Sequence, residues 1–80
     1  MITLAQLKFI VIDKQKDLPT DSEMKDVLHG ATRLNEIVMP NGDIIISNKN
    51  ISYPLNEKAT AICGEEVWGH CYLIKKNVKY

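Results

Sequence analysis

The sequence lacks a charge bias and has almost no arginine. Its 80 residues carry ten basic and ten acidic side chains, so the formal net charge is zero, and Arg33 is the single arginine. A nucleic-acid-binding domain usually has a clear excess of basic residues on one surface. The composition therefore excludes a general nucleic-acid binder at the level of the whole chain. A near-neutral chain does remain open to self-association into a homo-oligomer.

A long apolar run is also missing. The longest run covers residues 9–12, which is far too short for a signal-peptide core or for a membrane span of about 20 residues. No basic stretch follows Met1. We therefore expect a cytoplasmic protein with no membrane partner, in which Cys63 and Cys71 remain thiols.

Motifs of the common enzyme classes are absent. The sequence has no glycine-rich phosphate loop, no serine nucleophile elbow and no metalloprotease helix motif. A Cys63 nucleophile with His70 as its base, oriented by Glu65 or Glu66, would require a nearby cation to favour the thiolate, but the charge around it is acidic. We predict that the chain is not an enzyme and has no cofactor.

A zinc site is the remaining chemical reading of the same stretch. Its ligands would be Cys63, His70, Cys71 and His29. Adjacent strand residues point to opposite faces, and the closely spaced ligand pairs typical of structural zinc are missing. Binding of a metal by Cys and His is therefore the least favoured alternative, and buried free cysteines are the simpler interpretation.

The strongest structural signal is a β-hairpin over residues 35–48. Two apolar runs rich in isoleucine and valine flank Asn41-Gly42, which we interpret as the two turn residues with positive φ, preceded by Pro40. The pattern predicts a strand on each side of this turn.

A helix is predicted after Pro19. Thr20 and Glu23 have the spacing of a capping box, and Gly30 is a candidate for the residue after the helix. Between them, four apolar side chains recur at i, i+3, i+4 and i+7: Met24, Val27, Leu28 and Ala31. This spacing predicts an amphipathic helix of about three turns that lies on a sheet.

The first and last segments are predicted as strands. Leu7 to Asp13 is favoured as a strand over a helix capped by Thr3 and Gln6, because its apolar residues would cover too much of a helical circumference. Residues 51–55 alternate but contain Pro54, which predicts at best a short edge strand. The last third predicts a second hairpin with arms at residues 59–63 and 70–75.

The chain is therefore predicted to be a single α+β domain over residues 1–80. It would have a small antiparallel sheet of two β-hairpins plus an N-terminal strand, with one amphipathic helix packed on it. The core is predicted from the apolar faces of these elements: Leu7, Phe9, Val11, Val27, Leu28, Ile37, Ile44, Ile46, Ile62 and Leu73.

The functional prediction is a small, non-enzymatic accessory protein that binds another protein. Trp68 either folds back over the small core or, if exposed, is the natural anchor of a contact surface, because tryptophan buries a large area at little entropic cost. The predicted partner-binding residues are Trp68, Glu65, Glu66, His70, Asp21, Lys75 and Lys76. The use of lysine in place of arginine indicates an AT-rich coding genome, and small proteins of such genomes are often phage or mobile-element inhibitors of a host protein.

The alternative is a small nucleic-acid-binding accessory protein. Lys75, Lys76 and Lys79 lie near Tyr72 and Tyr80, and no acidic residue follows Glu66. Interleaved basic and aromatic side chains hold a nucleic-acid strand through phosphate contacts and stacking.

Overall fold

The computed structural model describes residues 7–50 and 52–80, in which a β-hairpin lies between two strand–helix segments of the chain. In this part of the chain we number four strands and two α-helices. Their bounds are β1 Phe9–Ile12, α1 Asp21–Val27, β2 Leu34–Val38, β3 Ile44–Asn48, α2 Glu57–Cys63 and β4 Cys71–Ile74, with a 3-10 helix at Gln15–Asp17. The α+β class is as predicted.

The strands form one mixed sheet in the order β1-β4-β3-β2. β2 pairs with β3, and β3 with β4, in antiparallel fashion, whereas β1 runs parallel to β4 with Phe9 opposite Cys71. The predicted purely antiparallel sheet is therefore wrong in its first strand. A long connection separates β1 from β4, and such a connection allows either direction of entry.

One face of the sheet packs against α1. Met24 of the helix and its C-cap residue Leu28 are buried in a cluster with Ile46 of β3 and Ile74 of β4. The predicted capping box is confirmed: the Thr20 side chain accepts from the Glu23 amide at 3.2 Å, and the Glu23 carboxylate accepts from the Thr20 amide at 3.0 Å. The helix ends earlier than predicted, with Leu28 as its C-cap.

The opposite face of the sheet packs against α2. Ala59 of the helix is fully buried in a second cluster that includes Ile45 of β3 and Cys71 and Leu73 of β4. Consecutive residues of β3 and β4 thus contribute to different clusters, because strand side chains alternate between faces. The molecule has a helix on each side of its sheet.

The first hairpin is confirmed, but its turn differs from the prediction. Gly42 N–H donates to Met39 O at 2.9 Å, which makes Pro40 and Asn41 the central residues of the turn. The sequence predicted a positive φ at both Asn41 and Gly42, but only Gly42 adopts one, at 93°. A type I turn followed by a left-handed glycine suits this sequence, because the fixed φ of proline fits the first central position.

The second predicted hairpin is wrong. β4 forms its second arm, but residues 57–63, which include the first arm, are helix α2. Asn56 caps this helix by accepting from the Ala59 amide at 3.3 Å, and Gly64 ends it with φ of 76°. The inward positions Ala59 and Cys63 are i and i+4, a helical spacing that a short apolar run conceals.

The other predicted elements are partly correct. The strand predicted over residues 7–13 is observed as β1, and the rejected cap residues Thr3 and Gln6 lie outside the described residues. The edge strand predicted at 51–55 is reduced to an isolated bridge between Leu55 and Trp68, and Ile51 lies outside the described residues.

The predicted core is correct in its centre and wrong at one border. Leu28, Ile46 and Leu73 are buried. Four more pack against the clusters while partly exposed: Phe9, Val27, Ile37 and Ile44. Leu7 is half-buried, but Val11 and Ile62 are 49% and 47% exposed. Val11 lies on an edge strand that its neighbours cover only partly, and Ile62 was predicted as a strand position but lies on the exposed side of α2.

Candidate protein-binding surface

The segment from Gly64 to His70, which we call the Trp68 loop, connects α2 to β4 and is held by hydrogen bonds along its length. Val67 N–H donates to the Thr60 hydroxyl at 3.0 Å, and Val67 O accepts from the backbone N–H of Asn56 at 2.7 Å. Gly69 N–H donates to Pro54 O at 2.7 Å. The loop backbone is therefore tied to α2 and to the segment before it.

The side chains of the Trp68 loop divide between the interior and the surface. Val67 is buried in the α2-side cluster. Glu65 and Glu66 are exposed, and Trp68 is half-buried. The fixed backbone therefore presents an indole ring and two carboxylates together, which are three of the predicted partner-binding residues.

Asn56 is the buried polar residue that joins this loop to the sheet. Its side-chain amide donates to Gly69 O at 2.9 Å and to Lys8 O at 3.2 Å, and its carbonyl caps α2. A buried amide with its donors and acceptor engaged stabilises a defined arrangement, since each unpaired group would be costly. Asn56 therefore fixes the positions of α2, the Trp68 loop and the start of β1 relative to one another.

A stack of aromatic rings lies where the Trp68 loop meets the end of α1. The ring of His29 stacks on Tyr53 with a centroid distance of 3.9 Å and on His70 with a distance of 4.1 Å. Gly69 makes this approach possible: a Cβ placed there would lie 2.6 Å from Nε2 of His29. His29 itself has a φ of 65°, which is uncommon for a residue other than glycine.

Both imidazoles of the stack accept backbone hydrogen bonds. His70 N–H donates to Nε2 of His29 at 3.0 Å, and Lys8 N–H donates to Nδ1 of His70 at 2.9 Å. An accepting nitrogen carries no proton, so this network corresponds to two neutral rings. Burial lowers the pKa of both histidines. The charge of His70 lowers the pKa of His29 further, and the charge of Lys8 lowers the pKa of His70 further.

The cysteines do not form the zinc site or the Cys–His pair that was considered, and disfavoured, for a second hairpin. Cys63 lies at the end of α2, and its thiol donates to Glu65 O at 3.3 Å. Cys71 is buried, and burial raises the pKa of its thiol to about 12, with a smaller contribution from Cys63. A thiol with this pKa is almost entirely protonated at neutral pH. Among residues 7–50 and 52–80, no group of three or more His, Cys, Asp or Glu side chains is placed to hold a metal ion.

The remaining predicted contact residues lie elsewhere. Lys75 is paired with the buried carboxylate of Asp43 at 2.8 Å, and this hydrogen bond lowers the pKa of Asp43. Lys76 is exposed, although its backbone amide also donates to Asp43 at 2.8 Å. Asp21 is in the first turn of α1 and forms an ion pair with Lys25 at 3.2 Å.

The predicted contact residues therefore divide into three locations. Trp68, Glu65, Glu66 and His70 share one loop, Asp21 lies on the helix of the opposite sheet face, and Lys75 and Lys76 follow the far end of β4. Sequence reasoning missed Tyr53 and Asn56, and it considered His29 only as a zinc ligand. No local signal marks the ring stack, because its members are distant in sequence.

Comparison of the chain with protein-family models, curated proteins and solved structures gives no match. Within the described parts of the chain, neither helix is long and apolar enough to cross a membrane.

Proposed function

We propose that this chain is a small non-enzymatic accessory protein that binds a host protein in the cytoplasm, as phage and mobile-element inhibitors do. The observation that carries the proposal is the Trp68 loop, whose backbone is fixed by Asn56, Thr60 and Pro54 while its two carboxylates are exposed and its Trp68 side chain is half-buried. A fixed loop loses little conformational entropy on binding, and this reduces the cost of association.

The chemistry of the loop also suggests the kind of surface it fits. Glu65 and Glu66 are exposed beside the half-buried Trp68. A complementary surface would have an apolar recess for the indole and basic side chains at its rim, because charged rim residues guide the encounter while aromatic anchors supply most of the affinity.

The state of the histidines and cysteines supports a binding role over a catalytic one. The accepting nitrogens of His29 and His70 are engaged by backbone amides, so neither lone pair is available to remove a proton. The Cys71 thiol is buried with its pKa raised to about 12.

The ion pair of Lys75 with Asp43 reduces the basic surface on which the nucleic-acid alternative depends.

An affinity capture experiment tests the proposal. The full chain, tagged and immobilised, is exposed to nuclease-treated lysate of the host, and bound proteins are identified by mass spectrometry. We expect one protein to be enriched by the natural chain and capture to fall about tenfold or more in Trp68→Ala, as for an interface anchor. The control is Val38→Ala, at an exposed apolar position in β2.

A second variant separates a binding defect from a folding defect. Glu65→Lys combined with Glu66→Lys changes exposed side chains only, and it should weaken capture while the circular dichroism spectrum and melting temperature stay the same. Equal capture by all variants, or an absence of any enriched protein, would overturn the proposal. In a separate assay with purified nucleic acid, binding that falls steeply with rising salt would support the alternative function in its place.

A further inference from the structure

The outer edge of β1 has unpaired backbone groups within the described part of the chain. Cys71 N–H donates to Lys8 O at 3.0 Å, and Lys75 N–H donates to Ile12 O at 2.9 Å. In a parallel pair, alternate residues direct their N–H and C=O groups at the neighbouring strand. Phe9 and Val11, which lie between, therefore direct theirs away from β4.

The two edges of the sheet differ in protection. On β2, Glu36 is among the residues whose backbone groups face outward, and its carboxylate accepts from the Tyr80 hydroxyl at 3.0 Å. On β1, residues 9–12 are Phe-Ile-Val-Ile, with no charge, proline or glycine. Charges, prolines and bulges are the usual means by which proteins prevent pairing at an edge. The β1 edge has none of these in its strand.

Partly exposed apolar side chains lie on the α2 side of this edge. Val11 is 49% exposed on the face of β1 that carries Phe9, and Ile62 on α2 is 47% exposed. Lys58, one turn before Ile62, places its ammonium 5.0 Å from the centre of the Phe9 ring. A cavity of about 220 Å³ lies beside the start of β1, lined by Leu7, Phe9, Leu55, Asn56, Glu57 and Lys58.

Charges around the edge indicate what its occupant would carry. Lys8 precedes the strand and Lys14 follows it, both are exposed, and Lys58 borders the cavity. Asp13 and Glu57 are the acidic side chains nearby in the same segments. By strand alternation, Lys8 and Lys14 are on the same face as Ile10 and Ile12. Lys8 comes before the two isoleucines and Lys14 comes after them.

We infer that the β1 edge binds an extended segment of a protein partner, which adds to the sheet as a further strand. The segment would carry apolar side chains toward Val11, Ile62 and the cavity, and carboxylates toward Lys8 and Lys14. The backbone groups of Phe9 and Val11 supply the ladder, and the side chains supply the selectivity. This inference rests on the proposed function insofar as the occupant belongs to a protein.

A displayed library of random peptides of about twelve residues, selected on the full chain, tests the inference without a known partner. Enriched peptides should alternate apolar and acidic residues. N-methylation of ladder amides in a selected peptide should weaken its binding about tenfold, as expected for the loss of a backbone hydrogen bond in an interface. In hydrogen exchange, the amides of Phe9 and Val11 should become protected on binding, while those of Ile10 and Ile12 are protected beforehand.

Matched lysine substitutions at the two edges locate the site. Val11→Lys should reduce peptide affinity about tenfold or more by opposing pairing and apolar contact, whereas Val38→Lys should leave it unchanged. Selection of no peptide, tolerance of N-methylation, or a loss confined to Val38→Lys would overturn the inference. Failure of the peptide experiment would not alter the result expected for protein capture through Trp68. Failure of Trp68→Ala to reduce capture would likewise not alter the peptide result, so the two proposals can fail separately.

Discussion

The two α-helices have the same length of seven residues and both begin at a side-chain cap, yet the caps differ in their surroundings. Thr20 and Glu23 cap α1 at the surface with bonds to each other. Asn56 caps α2 from the interior and also bonds to Gly69 and Lys8. α1 is defined by its own sequence, whereas α2 depends on contacts with distant parts of the chain.

The difference extends to what each helix buries. α1 and its C-cap contribute Met24 and Leu28, both large and fully enclosed, to their side of the core. α2 contributes the small Ala59 and leaves Ile62 exposed. The α1 side is therefore a packed scaffold, while the α2 side combines a thinner core with the Trp68 loop and the open β1 edge.

The largest expected effect comes from removing α1 packing. Leu28 is 0% exposed, so Leu28→Ala should lower the free energy of unfolding by about 2 to 5 kcal/mol through lost burial and a residual cavity. Ile62→Ala on α2, where the side chain is half in solvent, should cost less than about 1 kcal/mol. Urea unfolding followed by circular dichroism measures both. Equal losses would contradict the contrast between the two helices.

The next effect compares the caps. Asn56→Ala removes the cap and leaves the carbonyls of Gly69 and Lys8 without their side-chain donor, so it should cost about 2 to 3 kcal/mol. Thr20→Ala at the exposed cap should cost about 1 kcal/mol. Asn56→Asp restores the capping oxygen without the donor, and it should not restore stability. A full rescue by Asp would mean that capping alone accounts for the role of Asn56.

The smallest effect concerns pH at the joint between α1 and the Trp68 loop. The folded-state pKa values of His29 and His70 lie below their ordinary value of 6.5. As the pH falls, the histidines of the unfolded chain therefore take up protons before those of the folded chain. The contribution of the neutral rings to the free energy of unfolding is complete above about pH 6.5 and declines below that pH. The melting temperature should fall between about pH 7.5 and pH 5.5.

A double variant serves as the reference for this effect. With His29→Gln and His70→Gln, the fall over the same pH range should be smaller, because neither side chain titrates. Acidic groups with lowered pKa values, such as Glu23 and Asp43, are present in both proteins and titrate at lower pH. Identical pH profiles would show that the ring stack makes no contribution.

These contrasts also explain how far the sequence alone could be interpreted. The capping box of α1 and the turn at Pro40 to Gly42 are local signals, so the helix and the first hairpin were predictable. The cap of α2 has Ala59 where a capping box would have Glu or Gln, and the partners of Asn56 are distant in sequence. The parallel entry of β1 and the stacking of His29 on His70 depend on the same long-range contacts.

The candidate site was predictable to a similar extent. Trp68, Glu65, Glu66 and His70 are neighbours in sequence and share one loop. Lys75 was predicted as a free contact residue, but its ion pair with Asp43 joins positions on different strands that no local pattern links. Val11 was predicted to be a core residue. Its exposure could not be predicted, because it depends on how far α2, a helix that the local pattern conceals, extends across the sheet.

The most direct test of a working surface on the α2 side is hydrogen exchange of the full chain, free and in complex with its captured partner. Protection should increase at residues 64–70 and at Phe9 and Val11, while α1 and β2 exchange as in the free protein. Protection confined to α1 and β2, with the Trp68 loop and β1 unchanged, would contradict the assignment of binding to this side of the molecule.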